Sequence, residues 1–270
     1  MRSAFAHFSR CVELSREHGF GRIEVANRSM MGFCRVYLNE PREARDDGAA
    51  TVRAAVLVGQ PRAEMLGETI GVFACYELGA YDEMKIHLER ETRLVRQLGA
   101  RRFEAQNAEM RGRLLLDIGR RAEAITSLRD ALAICRDVGM QFCGPKVHSA
   151  LSRAVDAKDE RAHLLAEGEE LLGRGAVGHN HLWFYRDAIE AMLVAGDAPG
   201  ALRYVELLDD YARAEPLPWS ELFAARGRAL ARAQGQVDDA VRSELARVRS
   251  LLLECGLGAF LAPLDGAMGL

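Results

Sequence analysis

The chain lacks the features that would attach it to a nucleic acid or a membrane. Its 36 Lys and Arg residues are outnumbered by 39 Asp and Glu residues, and the formal net charge is −3. Without an excess of basic side chains it has little to neutralise a phosphate backbone, so we expect no nucleic-acid partner. The longest stretch without a charge, Cys255 to Leu264, is about half the roughly 20 apolar residues that a membrane-spanning helix needs. We therefore expect no membrane partner.

Signals for export and for metal binding are also missing. Residues 1–10 contain no basic segment followed by an apolar one, which favours a cytoplasmic location over secretion. The six cysteines are scattered, with no Cys-x-x-Cys pair and no spacing typical of metal ligands. We expect reduced, mostly buried thiols and no metal. These cysteines are Cys11, Cys34, Cys75, Cys135, Cys143 and Cys255.

Motifs that would indicate an enzyme are missing as well. The sequence has no phosphate-binding Gly-x-x-x-x-Gly-Lys-Ser/Thr loop, no dinucleotide fingerprint after a strand and no His-Glu-x-x-His. The closest histidine pair, His179 and His181, is two residues apart, which places the two rings on different sides of a helix. The sequence therefore predicts no catalytic residue and no cofactor.

What the sequence does contain is a repeat. Glycines end apolar-periodic segments at intervals of 40 residues, and polar, turn-forming segments lie between them at intervals of 38 to 40. The glycines are Gly19, Gly59, Gly99 and Gly139, continued loosely by Gly178 and Gly256. The turn segments end at Ala44, Met84, Ala124, Ala162, Ala201 and Ala240. Two interleaved series of this regularity predict a stack of similar units.

Each unit is predicted to be a helical hairpin, in which a glycine in the left-handed conformation ends a helix. Within residues 122–138, apolar residues recur every three or four positions and so form one stripe, as in a half-buried helix. Six of the seven prolines fall at predicted turns or in the first turns of predicted helices, and only Pro263 does not fit this pattern. The first helices of the hairpins are predicted at 21–38, 61–78, 101–118, 143–156, 179–195 and 217–233. The second helices are predicted at 43–58, 82–98, 122–138, 160–173, 198–213 and 238–255.

The turn Gly119-Arg-Arg-Ala-Glu-Ala124 resembles the turn of the tetratricopeptide repeat, and the similarity covers nearly the whole chain. The family unit has 34 residues, whereas these units have 38 to 40. Repeats of this length look like those in the C-terminal halves of large bacterial signalling ATPases, including transcription activators and class III adenylate or guanylate cyclases fused to an ATPase module. Residues 112–124 and 179–188 look most like the cyclase-linked version. The resemblance implies an all-α fold, a right-handed α-solenoid of about six hairpins.

The resemblance also implies that first helices line a concave groove that binds a peptide. Carrying the family register over gives thirteen candidate groove residues, and those of the third unit are all polar, as in a solvated groove. The candidates are Ser29, Phe33, Tyr37, Thr69, Phe73, Glu77, Gln106, Glu109, Arg113, Asp117, Trp183, Arg186 and Glu190. Phe33 and Phe73 would be neighbours along the groove; packing of the aromatic side chains between helices is the alternative. In the fourth and sixth units the register gives mostly apolar positions, so either the phase slips or the groove closes.

We expect a non-catalytic interaction or sensory module whose partner is a protein or peptide segment, or another domain of the same polypeptide. The alternative is a small-ligand sensor with a pocket around Trp183, Phe184 and Tyr185. We expect one repeat domain over 1–270, with an unpaired helix in 1–20 and a short apolar segment in 257–270. These ends suggest part of a longer protein or ends covered by a partner, with a lone capping helix as the alternative.

Overall fold

The computed structural model describes residues 1–235 and 237–270, and Gln236 in the last predicted turn segment lies outside the described residues. Within those ranges every regular element is helical, which confirms the all-α repeat fold. Helix ends fall within about two residues of their predicted positions. The helices are α1 (Arg2–Glu17), α2 (Gly21–Tyr37), α3 (Pro41–Leu57), α4 (Pro61–Leu78), α5 (Tyr81–Leu98), α6 (Arg101–Asp117), α7 (Arg121–Val138), α8 (Gly144–Ala154), α9 (Lys158–Gly173), α10 (His179–Val194), α11 (Ala198–Ala212), α12 (Pro218–Ala233), α13 (Asp239–Cys255) and α14 (Ala262–Met268).

Left-handed glycines separate the first hairpins, as the repeat predicts. Gly19, Gly59 and Gly99 have φ values of 71°, 64° and 61°, and each follows the end of a helix. Gly99 donates its N–H to the carbonyl of Arg96, which satisfies one of the free carbonyls at the end of α5. A side chain at these positions would meet backbone strain, and glycine avoids it.

The regular spacing fails around the fourth hairpin. Gly139 has φ 105° and ψ 126°, so its φ is positive but its conformation is not the left-handed helical one of the earlier glycines. A further turn precedes α8, which begins at Gly144. Gly178 is the N-cap of α10 with φ −53°, and the positive φ lies at Gly175 instead. The assignment of Gly178 to the glycine series is therefore wrong, because a second extra turn separates α9 from α10.

The chain divides into two compact units. Unit 1 comprises Met1–Ala100, Leu217–Trp219 and Leu251–Ala262. Unit 2 comprises Arg101–Pro216, Ser220–Ser250 and Pro263–Leu270. Because a stacked array has no unique internal boundary, this division does not test the prediction of a single domain.

In unit 1, helices α1 to α5 pack in chain order, and α2 also contacts α4 directly. The N-terminal helix α1 packs against α2, and Val12 of α1 is buried there. Because α2 is the first helix of the next hairpin, this contact does not test the expectation that α1 lacks a first helix of its own.

The C-terminal segment is ordered and packed. A 3-10 turn at Gly258–Phe260 contacts α4, and the Phe260 ring meets Tyr76 edge to face at 6.2 Å. Pro263 lies in the first turn of α14, where a missing N–H costs nothing. The awkward proline is thus explained by a short helix that the sequence pattern did not reveal.

In unit 2, α6 packs on α7 and α8, α8 packs on α9 and α10, and α10 packs on α11. The predicted stripe of α7 is confirmed, since Leu128, Ala131 and Cys135 are buried. They belong to one apolar cluster with Val147 and Leu151 of α8. Among the described residues, no helix is both long and apolar enough to cross a bilayer.

Gly168 allows α9 and α10 to approach closely, because a Cβ atom there would overlap the ring of Phe184. We predict that Gly168→Ala lowers the free energy of unfolding by about 1–3 kcal/mol, the usual cost of overpacking a core. Gly173→Ala in the same helix is the control, because no atom lies within 4 Å of its Cβ position. Urea unfolding followed by circular dichroism measures both, and equal midpoints for the two variants would contradict the close approach.

Candidate functional site

Most of the predicted groove residues are buried. Ten of the thirteen candidates have less than a tenth of their surface exposed: Ser29, Tyr37, Thr69, Phe73, Glu77, Gln106, Glu109, Arg113, Trp183 and Arg186. Phe33, Asp117 and Glu190 are half-buried. The expectation that Gln106, Glu109 and Arg113 line a solvated groove is therefore wrong. Polar side chains inside a protein need polar partners, and the charged ones have them within the chain.

In unit 1 the candidate residues contact one another and neighbouring helices. Phe33 and Phe73 are neighbours as predicted, with ring centroids 6.0 Å apart and an edge-to-face angle of 64°. The hydroxyl of Thr69 donates to the carboxylate of Glu91 at 2.6 Å, which ties α4 to α5. Tyr37 meets Trp219 edge to face at 6.0 Å. The aromatic members thus pack between helices, which was the alternative to a binding role.

In unit 2 the candidates belong to a buried group that we call the ionic cluster: Glu109, Arg113 and Asp117 of α6, Lys146, Ser149 and Arg153 of α8, and Asp187 of α10. All seven lie on the first helices of three consecutive hairpins. The cluster therefore connects the helices that were predicted to form the groove.

Arg113 is at the centre of the ionic cluster. Its Nη1 atom lies 2.9 Å from Oδ1 of Asp187, and its Nη2 atom lies 2.6 Å from Oδ2. Its Nε atom pairs with Glu109 one turn earlier on α6, and Nη2 also donates to the carbonyl of Lys146 at 3.2 Å. The planar guanidinium group thus bridges α6, α8 and α10 through a two-pronged contact that a lysine could not make.

The other members complete the charge balance. Lys146 Nζ lies 2.8 Å from Oε2 of Glu109, and Ser149 donates to Asp187 at 3.2 Å. Arg153 lies between Asp187, at 3.5 Å, and Asp117, at 3.1 Å. Each carboxylate of the cluster therefore has at least one cationic partner.

The electrostatics keep the two innermost acids ionised. Burial alone would raise the pKa of Asp187, but the guanidinium groups of Arg113 and Arg153 outweigh it and hold that pKa below its ordinary value. Burial likewise opposes ionisation of Glu109, and Lys146 and Arg113 lower its pKa in turn. Groups held in one charge state by fixed partners are suited to positioning helices and poorly suited to transferring protons.

Cations of the chain cover the Trp183 indole. The guanidinium carbons of Arg186 and Arg113 lie 4.2 and 4.8 Å from its ring centroid, and Lys146 Nζ lies 5.6 Å away. Phe184 is fully buried against Gly168. Both residues therefore belong to the interior of unit 2.

The two neighbouring histidines have separate partners. His179 Nε2 donates to the carbonyl of Phe142 at 2.8 Å. The His181 ring stacks on Tyr211, with centroids 4.3 Å apart and planes 5° apart. The two rings thus serve different contacts, as their spacing predicts.

Glu190 is the candidate that lies at a surface pocket. The pocket has a volume of about 240 Å³ and lies where α10 and α12 end beside α14. Its lining is mostly apolar: Leu193, Val194, Leu230, Ala233, Pro263 and Ala267, with Glu190 and Gln234 as polar members. Val194 is 74% exposed, so the pocket is open to a partner.

Sequence reasoning missed Lys146, Ser149, Arg153 and Asp187. The first three lie on α8, 40 positions after Gln106, Glu109 and Arg113 of α6. Asp187 was passed over because it adjoins Arg186, a chosen position. The signal that could have found the α8 residues was the 40-residue period of the glycine series.

No protein-family model matches the sequence, and no curated protein is significantly similar to it.

We predict that Arg113→Met lowers the free energy of unfolding by about 3–5 kcal/mol, because Glu109 and Asp187 would lose their shared partner inside the protein. Arg120→Met is the control, since Arg120 pairs with Glu123 at the surface and both side chains are 55% exposed. Its effect should stay within about 0.5 kcal/mol. Denaturant titration measures the free energy of unfolding of both variants. Similarly small effects of the two changes would show that the buried ion pairs contribute little to stability.

We predict that stability falls as the pH drops from about 6.5 to 4. Burial, and then Lys146, lower the pKa of His179 from 6.5 to about 4. In this window the unfolded chain binds a proton at His179 and the folded chain does not, so acid favours unfolding by roughly 1–3 kcal/mol.

His179→Gln keeps a donor for the Phe142 carbonyl and removes this titration. It should therefore weaken the pH dependence of the unfolding midpoint between pH 7 and 4.5, relative to the wild type. If the unfolding midpoint of His179→Gln varied with pH as steeply as that of the wild type, His179 would not be the source of the pH dependence.

Proposed function

We propose that the chain is a non-catalytic interaction or coupling module of the tetratricopeptide type, which binds a segment of a protein. The observation that carries this proposal is the open apolar pocket beside Glu190. Apolar surface that remains exposed in a rigid scaffold is where a partner gains most from burial.

The pocket fits one or two large apolar side chains of a partner. Its volume of about 240 Å³ is below the roughly 300–1,000 Å³ of drug-sized ligand sites, which favours an anchoring residue over a whole small molecule. Glu190 pairs with Arg226, and Gln234 donates to the Leu193 carbonyl at 2.5 Å, so the polar members at the pocket already have partners in the chain. The partner would therefore supply apolar contact at the centre.

The ionic cluster supports this function by keeping the scaffold rigid. Preformed binding surfaces lose less conformational entropy when they bind. Because Arg113 of α6 pairs with Asp187 of α10 and also donates to the Lys146 carbonyl of α8, three first helices are joined, and the end of α10 that lines the pocket rests on a fixed framework. The predicted groove residues that belong to the ionic cluster would then position the helices that bind the partner, without contacting the partner themselves.

The finer part of the proposal is that the chain is the tetratricopeptide arm of a bacterial adenylate or guanylate cyclase or of a related ATPase-type signalling regulator, in the cytoplasm. Its support is the resemblance of residues 112–124 and 179–188. The partner segment could then belong to another domain of the same polypeptide.

The small-ligand alternative has less support. It requires free space around Trp183, Phe184 and Tyr185, and cationic groups of this chain lie over the Trp183 ring. An interaction module is therefore the function that we propose.

We predict that Val194→Asp weakens binding of a partner peptide at least tenfold, because a carboxylate would lose hydration in the apolar pocket. Peptides are first selected from a displayed random library against the purified chain, and their affinity is then measured by fluorescence anisotropy. The matched control is Leu57→Asp, at the last residue of α3, where the side chain is 85% exposed. If no peptide is enriched, or if both variants bind the selected peptides as the wild type does, the pocket is not the binding site.

A further inference from the structure

Unit 1 contains a second group of chemically reactive side chains. Cys75 of α4 and Glu83 and His87 of α5 each offer a ligand atom, and these atoms lie within 4.8 Å of one another. Glu83 and His87 are four residues apart, so one face of α5 carries both. Two adjacent helices thus bring a sulfur, an oxygen and a nitrogen donor to one place, which we call the Cys75 site.

The orientation of His87 is fixed by a carboxylate. Its Nδ1 atom lies 2.5 Å from Oε2 of Glu68, a side chain that is only 3% exposed. In the tautomer with the proton on Nδ1, this nitrogen donates to Glu68, and Nε2, which lies 3.9 Å from Oε1 of Glu83, is the nitrogen available to a metal. A carboxylate that holds one ring nitrogen while the other faces acidic or thiol groups is the arrangement that supports metal-binding histidines.

A glycine makes room for the imidazole ring. Gly71 lies on α4 between Glu68 and Cys75, and a Cβ atom there would be 2.7 Å from His87 Nδ1. The ring therefore rests on the helix backbone, where any larger residue would displace it. Packing and hydrogen bonding thus place His87 without any help from a ligand.

We propose that Cys75, Glu83 and His87 bind a divalent transition metal of the zinc type, with Glu68 as a positioning residue for His87. Thiolate, imidazole and carboxylate together suit a borderline-soft ion such as Zn²⁺. Mg²⁺ and Ca²⁺ prefer sites made of oxygen atoms alone. Three protein ligands leave a fourth tetrahedral position for water or for a group of a partner.

The surroundings allow an ion to enter and balance its charge. Glu83 is 44% exposed on its side chain, which opens the site to solvent, and Glu68 also lines a surface depression of about 460 Å³. Arg45 lies 3.5 Å from Glu83 and Arg90 lies 3.9 Å from Glu68, so a metal would replace Arg45 as the partner of Glu83. Binding also has to displace the Cys75 proton, since burial, and then Glu83, raise the pKa of that thiol to about 12.

The test uses the whole chain, freed of metal by a chelator and titrated with Co²⁺ as a spectroscopic substitute for Zn²⁺. We expect one Co²⁺ per chain, the visible bands of tetrahedral cobalt, a sulfur-to-cobalt charge-transfer band in the near ultraviolet, and loss of all of them when Zn²⁺ is added. Absence of the charge-transfer band at saturating Co²⁺ would overturn the proposal.

Variants assign the ligands. Cys75→Ser should remove the charge-transfer band, His87→Ala should weaken binding at least a hundredfold, and the half-exposed Glu83→Gln should weaken it without affecting folding. Cys255→Ser, a half-buried cysteine of unit 1 outside the site, is the control and should change nothing.

Glu68→Gln separates positioning from ligation. It should lower the metal affinity about 10–100-fold while the charge-transfer band and the far-ultraviolet circular dichroism of the metal-free chain are kept. A band that persists in Cys75→Ser, or unchanged affinity in Glu83→Gln and His87→Ala, would show that the metal binds elsewhere on the chain. If Cys75→Ser or His87→Ala fails to fold, the metal affinity of Glu83→Gln tests the proposal by itself, and an affinity equal to that of the wild type would overturn it.

Discussion

The pairing of Arg113 with Glu109 and Asp187 is the constraint on which unit 2 depends. Three charges without exposure to solvent stand on two helices that pack on α8, and each would be costly without the others. Such a group tolerates one arrangement of the helices, because a small displacement would separate ions that water cannot reach. The apolar contacts of α7 and α8 supply the attraction between helices, and the ionic cluster determines their relative positions.

Sequence patterns predicted the helices well because their signals are local. The stripe of Leu128, Ala131 and Cys135 is spaced as one face of a helix, and Gly59 and Gly99 mark ends that need a left-handed residue. The glycine series failed at Gly178, which begins α10 and does not end α9. The sequence pattern also failed in the C-terminal segment, where α14 is too short for periodicity to reveal it.

The candidate site was harder to predict because its chemistry depends on contacts between helices. A polar residue such as Gln106 or Arg113 on a first helix predicts a solvated surface, unless its partner is known, and Asp187 is 74 positions further along the chain. Cys75 gave no metal signal for the same reason, since its neighbours Glu83 and His87 belong to the next helix. That Phe33 and Phe73 are neighbours was predicted correctly, because a regular repeat fixes their separation.

A double-mutant cycle on Arg113 and Asp187 tests the central claim most directly. The single changes Arg113→Met and Asp187→Leu and the double change are compared by their free energies of unfolding. If the buried pair positions the helices, each single change leaves an unpaired charge, and the double change should cost less than the sum of the two by roughly 1–3 kcal/mol. Additive effects would mean that the two residues act independently and that the ionic cluster does not hold the first helices together.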